Sequence, residues 1–408
     1  MMRRVVVTGL GVVSPVGNDI ETFWNNLVNG VSGIGLITKF DTTDYKVKVA
    51  AEVKDFDVTP YVDKMAAKRL DLFSQYAIAA AQQAMDDSQL VCDPEQFGVY
   101  FGSGIGGLGT LVREQQKLDK SGPNRISPMT IPMMISNIAA GNVAIRFNAQ
   151  GPCLPVVTAC ATGTNAVGEA YRAIADGYAD AIIAGGTEAP ITPIAIAGFT
   201  SCMALTTNPD PATACRPFDK ARDGFVAGEG AGALILEEYE HAKARGAKIY
   251  AEICGYGHTC DAHHVTAPSP DGKGGARAIK AAAQQAGIAD SDLVYINAHG
   301  TSTPLNDKSE TLAIKLALGE EMAAKSMISS TKSMTGHCLG AAGAIEAIAT
   351  VLAVKNGIVP PTIGMIERDP ECDLDYTFNT AKKADVTLAL SDSLGFGGHN
   401  ACIAFRKA

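Results

Sequence analysis

A chain of 408 residues with 47% hydrophobic and 19% charged residues has the interior of a large globular protein of two or three domains. Its net charge of -9, single Trp and 6% aromatic content exclude a nucleic-acid-binding surface. The ten cysteines have neither zinc-site CxxC spacing nor the density of a disulfide scaffold, so they read as reduced thiols of a cytoplasmic protein that requires no metal.

The run from Met1 to Val13 is interrupted too early, at Gly9 and Gly11, for a signal peptide, and it reads as a buried strand. No other apolar stretch reaches about twenty residues, so no membrane span is expected. Strands are predicted at 4–8, 98–101, 156–158, 181–184 and 232–236, alternating with Ala-rich helices, as in an α/β sheet buried on both faces. A second set begins with strand 249–256, helix 274–286, strand 293–297 and a helix opened by Asp307 and Glu310 in capping-box spacing. Strand 327–330, helix 341–356 closed by Gly357, and strands 386–391 and 401–405 complete it. The chain divides into halves at 1–250 and 251–408. VVTACATGTNAVGEA in one and ISSTKSMTGHCLGAAGAIEA in the other share an order of strand, Thr, small-residue turn and helix. A duplication would bring those turns face to face.

Gly102, Gly104 and Gly107 match GxGxxG after a predicted strand, and Gly9 and Gly11 form part of the same pattern. A dinucleotide site also needs an immediate helix and a later acidic residue. Neither is clean here, and a tight turn lining a pocket is the better reading.

The most informative stretch is 154–177. Leu154, Val156 and Val157 read as a short buried strand, 158–164 as a small-residue turn and 166–176 as a helix, which puts Cys160 at the handover. Unpaired N–H groups at a helix start favour a thiolate and can hold an oxyanion. NAHGTSTP carries His299, SSTKSMTGH carries Lys332 and His337, and SDSLGFGGHNA carries Phe396, each near the C-terminal end of a strand, where α/β active sites form. Singly, these residues read as a buried hydrophobe, structural histidines, a surface lysine and a hairpin turn. Together they fit acyl transfer through a cysteine, with GFGG bringing the Phe396 N–H to the sulfur and two histidines for a second reacting carbonyl.

These residues and motifs, with VVVTGLGVVSPVGN, GSGIGG, GGTEAPITP and RPFDKARDGFVAGEGAG, resemble the β-ketoacyl-acyl carrier protein synthases of the thiolase-like condensing enzymes, most closely the type II synthases. The resemblance covers the whole chain and implies a thiolase-like five-layer αβαβα fold of two related halves, working as a homodimer. It implies that Cys160 is the acylated nucleophile. By the same resemblance, His299 and His337 polarise a malonyl thioester that loses its carboxylate, Lys332 supports them electrostatically and Glu346 is a structural partner. The N–H groups of Cys160 and Phe396 become the oxyanion hole, with the Phe396 ring as gate. Thr301 and Thr303 match positions that meet the phosphopantetheine arm, and Ile105 and Phe199 match pocket positions that influence acyl length. No metal or redox cofactor is implied; the 4′-phosphopantetheine belongs to the partner, acyl carrier protein. A Cys-His-His set favours decarboxylative elongation over the Cys-His-Asn and two-cysteine chemistries of related enzymes.

Because carrier and chain are both acidic, docking must depend on a local patch, for which Lys64, Lys68, Arg69 and Arg125 match basic family positions. Met203 departs from the pattern, standing where relatives often carry Arg. A polyketide-type ketosynthase, a non-elongating hydrolase and a non-catalytic chain-length-factor-like subunit stay open as alternatives.

Overall fold

The computed structural model describes residues 3–408; Met1 and Met2, the start of the run weighed as a signal peptide, lie outside the described residues. Ten strands form the main sheet. The first half supplies β1 (Val5–Val13), β2 (Phe97–Gly102), β3 (Cys153–Leu154), β4 (Ala181–Glu188) and β5 (Gly230–Glu238). The second supplies β6 (Ala251–Cys260), β7 (Val294–Asn297), β8 (Met327–Ser329), β9 (Leu388–Gly395) and β10 (His399–Arg406). Their spatial order is β8-β7-β9-β10-β6-β1-β5-β4-β2-β3.

That order contains the same five-strand unit twice. In the first half β2 runs parallel to β3 and β4, β4 is antiparallel to β5, and β5 is antiparallel to β1. In the second, β7 runs parallel to β8 and β9, β9 is antiparallel to β10, and β10 is antiparallel to β6. The halves meet where β1 pairs with β6, from Val5 opposite Ile253 to Val7 opposite Ala251. The duplication left open by the sequence is therefore present as topology.

Helices complete the layers. Helix α1 (Leu72–Ser88) covers the outer face of the first unit, α2 (Thr162–Ala175) its inner face, and α3 (Lys273–Gln285) the outer face of the second unit. Helix α4 (Pro304–Leu318) lies against α3, and α5 (Ala342–Asn356) packs against α2 and against strands of both five-strand units. The sequence explains how α2 and α5 approach so closely. A Cβ on Gly163 would stand 2.5 Å from the Ala344 nitrogen, and one on Gly343 would stand 2.1 Å from Thr164 Oγ1. Side chains at either glycine would force the two turns apart.

Leu339–Asn356, a 3-10 turn continuing into α5, is long and apolar enough to cross a membrane by length and composition, but 89% of it is buried inside the protein. Its hydrophobicity is that of a helix covered on every side. The predicted strand at 156–158 is absent: pairing ends at Leu154, and Leu154 and Val157 are exposed beside the outermost strand. Apolarity there belongs to a sheet edge rather than to the core.

Candidate active site

Cys160 lies in a 3-10 turn, Ala159–Ala161, immediately before α2. The turn is held by polar groups of the TACATGTN stretch: Thr158 N–H donates to Thr162 Oγ1 at 2.9 Å, and Asn165 Nδ2 donates to Thr158 Oγ1 at 2.7 Å. Tyr256, from β6 of the other half, donates its hydroxyl to Asn165 Oδ1 at 2.7 Å. Ala159 adopts φ 50°, a strained value for a residue with a Cβ, and Leu339 adopts φ 47° at the equivalent turn before α5. Both halves thus store strain at the same place, and the turns contact each other.

The thiol of Cys160 is buried and pushed up to about 11, with desolvation as the largest cause. The Phe396 N–H and the Lys332 charge act in the opposite direction and do not overcome it. This corrects the expectation of a thiolate favoured by the helix start: at neutral pH the sulfur rests as a thiol. The oxyanion-hole expectation is a separate matter. The backbone N–H groups of Phe396 and of Cys160 itself are both directed at the sulfur.

The GFGG bend that positions Phe396 connects β9 to β10, with Gly398 N–H donating to the Gly395 carbonyl at 3.0 Å. Gly395 lies directly on the turn that carries Cys160, where a Cβ would come within 2.9 Å of the Thr158 oxygen. The Phe396 side chain is half-buried and faces the pocket.

His299 follows β7 and His337 follows the short helix Lys332–Thr335. Their rings sit edge to face with centroids 5.2 Å apart. Burial, and secondarily Lys332, holds both imidazoles well below the usual histidine range, so both are neutral at pH 7. Lys332 is fully buried, ion-paired with Glu346 on α5, and 3.3 Å from His299 Nδ1. Burial pushes the Glu346 carboxyl up to about 7 against the pull of Lys332. His337 is fixed through its backbone, donating to the Val226 carbonyl at 2.7 Å, while its Nδ1 has no hydrogen-bond partner among the described residues.

One cavity of about 350 Å³ is lined by Cys160, His299, His337, Thr301, Thr303 and Phe396. The two threonine hydroxyls are 3.0 Å apart. Phe199 packs edge-on against Phe225 at 5.6 Å, in the apolar cluster that contains Cys160. Ile105 is 39% exposed and does not line this cavity.

The basic residues form no continuous helical face. Lys64 opens a single-turn helix ending at Ala67, and Lys68 and Arg69 lie beyond it. Arg125 ends a separate 3-10 turn, and none of these four cations lines the cavity, although all are exposed. Met203 does line it, and is 88% exposed.

Two expectations from local motifs change. Glu310 is no capping-box partner: α4 is capped at Thr303 without a side-chain bond, and Glu310 accepts the N–H groups of His299 at 2.6 Å and Gly300 at 2.8 Å. It thereby fixes the end of β7 that carries His299. Asp392 of β9 adds a second buried carboxyl beside it, and burial raises both. The GxGxxG segment does lead straight into a helix, Leu108–Ser121, yet its N–H groups are occupied. Buried Glu188 accepts from Gly104 N at 2.8 Å, Ile105 N at 3.1 Å and Ser103 Oγ at 2.7 Å. A carboxylate already fills the place a phosphate would need.

Residues 2–242 match the family model for the beta-ketoacyl synthase N-terminal domain, and residues 250–365 match that for the C-terminal domain. The chain is 54% identical over 409 residues to a 3-oxoacyl-[acyl-carrier-protein] synthase 2 of Staphylococcus aureus (strain COL), covering 99% of this chain and 98% of the relative. Identity and coverage are the same for the enzyme of that name from Synechocystis sp.. A beta-ketoacyl synthase from Burkholderia phymatum STM815 has a TM-score of 0.92 at 35% identity, with both chains covered completely. A type II PKS ketosynthase solved in complex with its acyl-carrier protein, AntDE:AntF, also gives 0.92, at 38% identity and with both chains covered completely. The two domain matches, the 54% identity over the whole chain and this two-fold architecture place the chain in the β-ketoacyl synthase family of thiolase-like condensing enzymes, in its synthase II branch.

Proposed function

We propose that this protein elongates fatty acyl chains by decarboxylative condensation, joining malonyl-acyl carrier protein to an acyl group held on Cys160. The observation that carries the reading is the convergence of a cysteine from one half and two neutral histidines from the other on a single cavity. In the first half-reaction the Cys160 sulfur attacks the acyl thioester carbonyl, the N–H groups of Cys160 and Phe396 receive the oxyanion, and the carrier thiol leaves with the proton. Malonyl carrier then enters. Loss of its carboxylate as CO₂ leaves the electron pair as an enolate, whose oxygen accepts hydrogen bonds from His299 and His337. The enolate carbon attacks the acyl-Cys160 carbonyl, and the Cys160 sulfur leaves and regains a proton. The product is a 3-oxoacyl carrier longer by two carbons.

The site roles fit the geometry. Thr301 and Thr303 line the approach to Cys160 and are assigned to the phosphopantetheine arm, and Phe396 to the gate. Phe199, which does not line this cavity but packs on the apolar cluster containing Cys160, is assigned to acyl length, and Lys332 and Glu346 to the electrostatic support of His299. Ile105 keeps an acyl-length role only at a part of the pocket outside this cavity. Every step uses protein groups and the carrier's own arm, so the reaction needs no resident cofactor. We assign the protein to the cytoplasm, acting as a homodimer; exposed Leu154 and Val157 at the free sheet edge support self-association.

The test is mass spectrometry after incubation with acyl carrier thioester, followed by malonyl carrier. One acyl mass on Cys160 and a product two carbons longer are expected. Labelling at another cysteine, or release of free acid without elongation, would overturn the proposal.

A further inference from the structure

The position of Met203 calls for a reason. Helix Pro193–Ser201 ends with Ala204 N–H donating to the Phe199 carbonyl at 3.1 Å and Met203 N–H donating to the Thr200 carbonyl at 2.9 Å. This is a Schellman cap, and its left-handed position, ordinarily glycine, is Met203 at φ 56°. A large apolar side chain is thus held in a conformation that disfavours it, 88% exposed, on the wall of the cavity leading to Cys160. Strain retained beside a functional site points to function. From the other half, Leu305 in the first turn of α4 lines the same cavity and is 64% exposed. No lysine or arginine is among the residues lining the cavity, whereas Asp223 and Asp261 are.

We propose that Met203 and Leu305 are apolar anchors for the carrier protein at the mouth of the pocket, so that docking nearest the tunnel is hydrophobic and its ionic contacts lie farther out. This rests on the functional reading above, because only a thioester delivered to Cys160 from outside requires a partner to press on this mouth. The fit calls for an apolar patch on the carrier beside its pantetheine attachment, since an acidic patch there would meet no cation and two carboxylates.

Met203→Gly is the informative variant, because glycine suits the cap. Its melting temperature should equal or exceed that of the parent, while KM for acyl carrier protein rises about 5-fold or more relative to KM for a free acyl-pantetheine thioester. Leu305→Ala should change the same ratio in the same direction. Met203→Arg should raise the same ratio, because the apolar patch it would face offers the guanidinium no acidic partner. An unchanged ratio in both truncations, an equal rise for carrier and free thioester, or a fall in melting temperature accompanying the Met203→Gly effect would overturn the proposal. If the parent protein instead condensed neither substrate, the functional reading itself would fail.

Discussion

Lys332 Nζ stands 3.3 Å from His299 Nδ1, and because an ammonium can only donate, the single proton of the neutral His299 ring is fixed on Nε2. The lysine therefore determines which edge of the imidazole offers a donor to substrate. Glu346 holds the lysine in place, so a residue on α5 controls the tautomer of a histidine just beyond the end of β7.

Lys332→Ala should leave acylation of Cys160 nearly intact and lower the malonyl half-reaction by about 10²–10³-fold, the usual cost of a lost oxyanion donor. Decarboxylation of malonyl carrier and burst acylation, measured separately, check this. Equal loss in both half-reactions would show that the lysine acts on the cysteine instead.

His337→Ala should likewise acylate and fail to condense. The Phe225 ring lies edge-on to His337 with centroids 5.1 Å apart, so removal of the imidazole leaves a cavity beside an aromatic wall and little new charge. Normal condensation by this variant would remove His337 from the mechanism.

Cys160 should alkylate slowly at neutral pH. With the thiol pushed up to about 11, the thiolate is on the order of one part in 10⁴ at pH 7, and the rate with iodoacetamide should climb about tenfold per pH unit up to about pH 10. A plateau at or below pH 8 would contradict this. The enzyme then depends on substrate to lower the cost of ionising the sulfur.

Gly395→Ala should separate the gate bend from the nucleophile. Its Cβ would approach the Thr158 oxygen to 2.9 Å and the Cys160 nitrogen to 3.3 Å, so the bend must move and the Phe396 N–H must leave the sulfur. Acylation should fall about 10²-fold with the fold retained.

Much of this was legible in the sequence because it depends on local chemistry. Strong apolar runs and Ala-rich helices gave the strands and helices, and the repeated strand, turn and helix order foretold the two-fold arrangement. The failures have one physical origin: local pattern does not report what lies opposite in space. Glu310 has capping spacing but faces the end of β7, and the glycines of 102–107 mimic a phosphate loop until Glu188 is seen to occupy it. Val156 and Val157 look like a buried strand because hydrophobicity alone cannot distinguish a core from an exposed edge. The Cys160 thiolate was expected from a helix start, and burial outweighed it.

The histidines also make a prediction about stability. Both are held well below 6.5 in the folded protein but return to about 6.5 on unfolding, so between those values the unfolded chain binds more protons. Their contribution is fully present above about pH 6.5 and is lost as pH falls toward the folded values. Glu346 has the opposite sign: raised to about 7, it binds its proton more tightly when folded and favours folding as pH falls. Melting temperature against pH for the parent alone would therefore mix the two. The difference between the parent and a His299→Asn/His337→Asn double variant isolates the imidazoles. That difference should be flat from pH 7 to 8 and should move in favour of the variant as pH falls from 6.5 to 5, because the variant has no buried ring to protonate. A difference independent of pH across that range would mean that the rings keep their ordinary proton affinity on folding, contrary to their burial beside Lys332.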